Sequence, residues 1–313
     1  MKTRHIRAFR AIVDTGSIRA AARKIGVSQP ALTKTLRELE TLLGVPLLLR
    51  SVRGVTLTEF GRALMPRVTL IEEEILRARE EISQMLGQKG STVAIGLSAV
   101  VSLLISAQAM TRLWKRHPLV NVRVIDGQFD YILHAIQQGR LDFAVGPLPQ
   151  VPEGQRIIAE PLFHHRIVPV VRNGHPLAAA TSLADLQKSD WLVPSADDAY
   201  PALVSQDFMD HGLSPPRIAV GCESFPSLIE LVKNTDLVAA VPATLLQLPT
   251  IAEHMLAIPV REKTFFTTIA LVRDSAVALT PVAEMLAREF RLLARQLAKR
   301  VGSDDIIAVP PMS

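Results

Sequence analysis

One cysteine, Cys222, stands in 313 residues. An internal disulfide is therefore excluded, and a lone thiol suits a reducing compartment. No apolar run approaches the length of a membrane span. The first residues, MKTRHIRAF, lack the apolar stretch of a secretory signal, so a cytoplasmic chain without a membrane partner is expected. There is no low-complexity tract and no repeat at a short fixed period. GxGxxG, a phosphate loop ending in GK[ST] and HExxH are all missing. Cys222 has no histidine in a recognisable motif context, which leaves an inert, partly buried thiol. His164 and His165 are adjacent, so on a strand they would face opposite sides, a poor arrangement for holding a metal. No enzyme activity, catalytic residue, cofactor or metal is expected.

What is present is a hydrophobic share of 48%, enough for real cores. The length suits two or more domains. The net charge of +5 is unevenly placed: residues 1–62 hold twelve Lys and Arg against four Asp and Glu, a net of +8, and the other 251 sum to −3. A basic end on a mildly acidic body points to a polyanion for that end alone.

Within the basic end, Ser17 to Glu40 reads as two short helices. Ser17 is a candidate N-cap, and Ile18, Ala21, Ala22 and Ile25 recur at helical spacing. Gly26 stops this helix. Ser28 caps the next, with Pro30 in its first turn, where a missing N–H costs little. Leu32, Leu36 and Leu39 point inward, and Gln29, Ala31, Thr33, Lys34 and Arg37 face out. This is either a helix-turn-helix, whose second helix enters the DNA major groove, or an ordinary αα-hairpin. An earlier helix carries Ile6, Phe9, Ile12 and Val13 as its stripe, with Thr3 as its cap. Past Gly44, Leu47–Arg50 and Val55–Leu57 read as two strands joined at Ser51-Val52-Arg53-Gly54, a wing with Arg50 and Arg53 near its tip.

ALTKTLRELE, GVPLLLR and RGVTLTEFG, in this order at the N-terminus, resemble the LysR-type transcriptional regulators. The match covers residues 1–60 closely and continues more loosely to about 300. With helix geometry, the resemblance implies that Gln29, Pro30, Thr33 and Lys34 meet base edges. Ser28, Arg37, Arg50 and Arg53 would meet phosphates or the minor groove.

Thr58 caps a longer helix. Leu64, Val68, Ile71, Ile75, Ala78, Ile82 and Met85 follow at heptad spacing, a seam that asks for a second helix. The first six are the expected dimerisation residues, and the competing reading packs this helix on its own domain. Pro66 should kink or weaken it. Gly87 to Gly90 would form a hinge.

From Ser91 the pattern is that of an α/β chain. Strands are expected at Thr92–Leu97, Asn121–Ile125, Leu141–Val145, Ile167–Val171, Trp191–Val193, Ile218–Val220, Leu237–Val241, Leu256–Val260 and Thr267–Val272. Helices are expected at Ser102–His117, Phe129–Gln138, Ser224–Asn234 and Pro281–Arg300. The fold class is α/β: a winged helix-turn-helix domain (1–58), a linker helix and hinge (59–90), then 91–300. The resemblance implies a two-lobed periplasmic-binding-protein-like effector domain of type 2 for the last part. Lobe I would take 91–162 and 267–300, lobe II 163–266, and 301–313 would be a mobile tail.

Ligands bind beyond the carboxyl ends of strands in such sheets. The candidates there are Ser98, Val100, Gln128, Phe129, Pro147, Asp197, Tyr200, Glu223, Ser224 and Phe225. The hydroxyls of Ser98 and Ser224 would hold an organic acid or sulfonate, or would only cap helices. Asp197, Asp198 and Glu223 would repel an acid unless paired, which brings in a polyol or amine. The expected function is promoter binding modulated by a small-molecule effector. The implied partners are double-stranded DNA, the effector, a second copy (a homodimer, then a dimer of dimers) and RNA polymerase. The competing reading is a cytoplasmic solute-binding or metabolic α/β protein with an accessory helical domain.

Overall fold

Three short helices, α1 (Thr3–Thr15), α2 (Ile18–Ile25) and α3 (Gln29–Leu43), open the chain. They belong to a computed structural model that describes residues 1–51, 54–85, 91–127, 129–149, 156–194, 199–300 and 305–308. The chain divides into two compact units, residues 1–87 with 137–140 and residues 88–136 with 141–313.

In the first unit the expected caps form. The Ser17 hydroxyl accepts from Ala20 N at 3.4 Å, and that of Ser28 from Ala31 N at 3.3 Å. Thr3 is not the cap but the first residue of α1, whose N-cap position is Lys2. Ile6, Phe9 and Ile12 pack with Ala21, Ala22, Leu32, Leu36, Leu39 and Leu47. Ile25, expected on the inner face, is 37% exposed at the helix end. Strands β1 (Leu48–Ser51) and β2 (Gly54–Leu57) pair antiparallel, with Arg50 opposite Val55. Val55 N donates to Gly16 O at 3.0 Å, which docks the hairpin on the end of α1. A Cβ on Gly54 would lie 2.9 Å from that oxygen, and φ there is +121°, so the position needs glycine.

Helix α4 (Glu59–Met85) begins at Thr58, whose hydroxyl accepts from Gly61 N at 3.0 Å. It continues through Pro66 without a break in the helix. The heptad seam has two fates. Val68 is fully buried in the core of its own unit, and Leu64 and Ile71 pack against that core. Arg10 adds a tie, donating to Thr69 Oγ1 at 2.7 Å. Val68 is thus taken up by intrachain packing, because α1 and the wing supply its apolar partners, while Leu64 and Ile71 stay half-buried at the edge of that core. Ile75 is half-buried, while Ala78 and Ile82 are exposed.

The second unit is built on one run of strands. These are β3 (Thr92–Leu97), β4 (Asn121–Asp126), β5 (Phe143–Pro147), β6 (Ile157–Arg172), β7 (Asp190–Val193), β8 (Arg217–Gly221), β9 (Val238–Pro242), β10 (Met255–Ala257), β11 (Phe266–Asp274) and β12 (Ile306–Ala308). Their order is β4-β3-β5-β11-β6-β9-β7-β8, with β10 and β12 also on β6. The parallel groups are β4-β3-β5 and β8-β7-β9; β6 and β11 run against their neighbours. Residues 157–166 of β6 pair with β11, and residues 167–172 with β9 and β10, so this single strand runs through both halves.

Helices cover both faces of each half. After β3 the chain forms α5 (Ala99–Val101), a π-helical stretch Ser102–Ser106 and α6 (Ala107–Arg116). Helix α7 (Phe129–Gln137) packs Ile132 and Ile136 on the other face. Phe143 of β5 meets Phe290 of the last helix, Pro281–Arg300, edge to face at 6.0 Å. In the other half, α8 (Ala199–Asp210) sets Phe208 against Trp191 at 5.6 Å, and α9 (Phe225–Asn234) buries Leu228 and Val232.

Three expectations change. Strand β6 starts at Ile157, not Ile167, and Pro161 sits inside it. The pairing with β11 shifts between Ile269 and Ala270, where Ala270 faces Pro161, so a bulge absorbs the missing N–H. Helix α8 had no sequence signal, since among its described residues Val204 and Phe208 are the fully buried ones. The tail is not loose throughout: β12 pairs with Phe163, His164 and His165 of β6, and Arg166 grips Asp305 at 2.7 and 3.1 Å.

Asp207 of α8 is half-buried beside Trp191 and Phe208 and accepts from Phe265 N at 3.2 Å. Burial pushes its pKa up from 3.8 to about 6, against the lowering effect of the Phe265 N–H. The folded protein thus holds this proton more tightly than the unfolded chain. Its contribution to stability is present below about 4 and lost as pH rises through about 6. Asp207→Asn should raise the melting temperature at pH 8 and change it little at pH 4. Equal shifts at both pH values would contradict this.

Candidate functional sites

The outer face of α3 is a direct product of its capping and its leucines. With Leu32, Leu36 and Leu39 buried, Gln29, Pro30, Lys34 and Arg37 are exposed and Thr33 is half-exposed. Together with Thr41 they line one open surface. Ser28 uses its acceptor on Ala31 N, which leaves its proton to donate. Glu38 is the acidic residue on this side. His5 and then Arg4 hold its carboxylate below the usual range, through Nε2 at 3.3 Å and Nη2 at 2.9 Å. Its charge is thus drawn towards α1. Arg50 contributes backbone to β1, but its side chain, and all of Arg53, lie outside the described residues.

The second unit holds a cleft of about 510 Å3. It collects the carboxyl ends of β3 (Ser98, Val100), β4 (Asp126, Gly127), β5 (Pro147), β8 (Cys222 to Phe225) and β9 (Pro242). Tyr200 from the first turn of α8 joins them, its ring edge-on to Phe265 at 6.5 Å. Seven of the ten anticipated positions meet here: Ser98, Val100, Pro147, Tyr200, Glu223, Ser224 and Phe225. Gln128 and Asp197 lie outside the described residues, as does the side chain of Phe129.

The two serines differ. Ser224 caps α9, its hydroxyl accepting from Ser227 N at 3.4 Å with Ser227 Oγ 3.0 Å away. Ser98 precedes α5 but its side chain makes no capping bond, and its Oγ is buried without a partner among the described residues. The thiol of half-buried Cys222 donates to Ser224 O at 3.2 Å.

Sequence reasoning missed His165. It lines the cleft from β6, is 1% exposed, and neither ring nitrogen has a partner among the described residues. Burial, then the neighbouring His164, lowers its pKa to about 4, so the ring is neutral at pH 7. His164 points elsewhere and pairs its Nδ1 with Thr268 Oγ1 at 2.8 Å. The alternation of the pair was legible; which of the two faced a cleft required knowing that β6 crosses both halves. Asp126 was also missed. Burial lifts its carboxyl above the ordinary value, against a hydrogen bond from Gly127. Among the described residues no group of three or more His, Cys, Asp or Glu is placed to hold a metal ion. Among the same residues no helix is long and apolar enough to cross a membrane.

Comparison with known proteins matches two family models. Residues 3–62 match the bacterial regulatory helix-turn-helix proteins of the lysR family, and residues 86–295 the LysR substrate binding domain. The HTH-type transcriptional regulator TdcA of Escherichia coli K12 is 30% identical over 261 residues, 83% of either chain. The regulator GbpR of Rhizobium radiobacter is 29% identical over 241 residues, 76% of this chain and 80% of that one. Among solved structures, CbnR, a LysR family transcriptional regulator, superposes with a TM-score of 0.68 at 19% identity, over 94% of this chain and 99% of that one. Full-length OxyR from Pseudomonas aeruginosa gives 0.65 at 21%, over 94% and 97%. The structural likenesses speak for the fold.

Proposed function

The chain belongs to the LysR family of bacterial transcriptional regulators, and on that premise we propose that it binds its promoter as a homo-oligomer, switched by a small molecule in the cleft of its second unit. The observation that carries this is the outer face of α3, a basic polar surface on a helix whose other side is locked into a core. Gln29, Pro30, Thr33 and Lys34 meet base edges, and Ser28, Arg37, Arg50 and Arg53 meet phosphates or the minor groove. The working divisions are 1–58 for DNA, 59–90 for pairing and 91–300 for the effector. Two copies read the halves of an interrupted palindrome. An effector that favours one arrangement of the oligomer shifts promoter output. The protein works by binding, without catalysis, in the cytoplasm.

The test is retention of a duplex from the chain's own upstream region by the full chain over a series of salt concentrations. Affinity should fall linearly on a log–log plot. Retention that ignores salt, or no retention, defeats the regulator and favours a solute-binding α/β protein.

Pairing through α4 rests on the part of the seam that the chain leaves open. Ile82 is 58% exposed, so Ile82→Asp should yield monomers by light scattering with the melting temperature of the monomer unit unchanged. Val68→Asp should instead unfold the first unit. A persistent Ile82→Asp dimer removes the seam from the interface.

A further inference from the structure

The cleft has an unusual charge inventory for a site that would take an acid. Its described lining contains two carboxylates, Asp126 and Glu223, and no lysine or arginine. Both residues reach solvent, although the Asp126 carboxyl is partly desolvated. The buried polar atoms are of another kind: Ser98 Oγ and the two ring nitrogens of His165, none with a partner among the described residues.

A neutral imidazole offers one N–H donor and one acceptor, and a serine hydroxyl offers both. A carboxylate only accepts. Bound here, it would leave the imidazole acceptor unmatched, face two like charges and lose its hydration with no cation in return. A hydroxyl or carboxamide both donates and accepts, so it can satisfy both polarities.

From this we propose that the effector is an uncharged small molecule bearing hydroxyl or carboxamide groups, held by Ser98 and His165, and that His165 sets this specificity. The proposal rests on the cleft being the effector site. His165 is then retained for the ligand at the expense of the apo fold, since a buried imidazole without partners is costly. A structural histidine predicts the opposite response to removal.

The experiment is a thermal-shift titration of the full chain with matched trios of uncharged, carboxylate and amine compounds. Suitable trios are glucose, glucuronate and glucosamine; benzyl alcohol, benzoate and benzylamine; and propane-1,2-diol, lactate and 1-amino-2-propanol. A ligand that binds only the folded state raises the melting temperature. The uncharged members should give the larger shifts. In His165→Leu their affinity should fall at least tenfold, while the apo melting temperature stays level or rises. His165→Gln, which keeps a donor and an acceptor, should recover part of the affinity. Larger shifts with carboxylates or amines overturn the charge rule and leave the cleft as the effector site. Shifts that survive both His165→Leu and Ser98→Ala overturn the site as well. A chain that no trio shifts, or a His165→Leu protein much less stable than the parent, also overturns the proposal.

Discussion

Lys34→Ala should cost the protein about tenfold to a hundredfold of its preference for its own upstream DNA over a scrambled duplex. That is the size of one lost base contact, about 1–3 kcal/mol. Lys34 is exposed on α3, one turn beyond Pro30, and shares its open surface with Gln29, Thr33 and Arg37. Glu38, four residues on, hydrogen-bonds to Arg4 and His5, which leaves the ammonium available to a nucleic acid. Alanine is the strongest helix former, so the fold should not suffer. Competition anisotropy with the two duplexes measures the ratio. Arg37→Ala, a phosphate contact in this reading, should weaken both duplexes about equally. If Lys34→Ala also weakened both equally, its assignment to a base edge would be wrong.

Gly61→Ala, the loss of one hydrogen for a methyl group, should lower the stability of the first unit sharply. Gly61 is buried in the first turn of α4, and a Cβ there would lie 2.2 Å from Leu47 O and 2.8 Å from Leu57 Cδ2. The oxygen cannot move aside cheaply, because it accepts from Thr58 N at 3.0 Å. Overpacking against backbone costs about 3 kcal/mol or more, which in a unit of this size lowers melting by roughly 10–20 °C. Calorimetry should show the loss in the first unit's transition, with the second unit's transition unmoved. A first transition within a few degrees of the parent would show that α4 can shift off the wing.

Much of this was legible in the chain. Ser17, Ser28, Gly26 and Leu32, Leu36, Leu39 are local signals, and they produced the helices they promised. The cleft location was legible because the carboxyl ends of parallel strands converge by topology. What escaped were relations between distant residues. Gly61 sits in the quoted RGVTLTEFG stretch, yet its necessity comes from Leu47. Val68 and Ile82 obey the same heptad, yet one faces the chain's own core and the other solvent. His165 looked like half of an uninformative pair until β6 proved to be one long strand. Helix α8, with two fully buried residues, had too little periodicity to read.

The last strand also bears on how the protein is made. Strand β12 covers the edge of β6 at Phe163 to His165 opposite β11, and Ile306 is 1% exposed there. On a ribosome that edge is translated well before the segment that closes it. Until residue 308 emerges, the nascent chain carries an open strand edge beside its central strand, the kind of surface that recruits other strands. Messages cut short before residue 305 would yield chains with every described helix present and that seam still open.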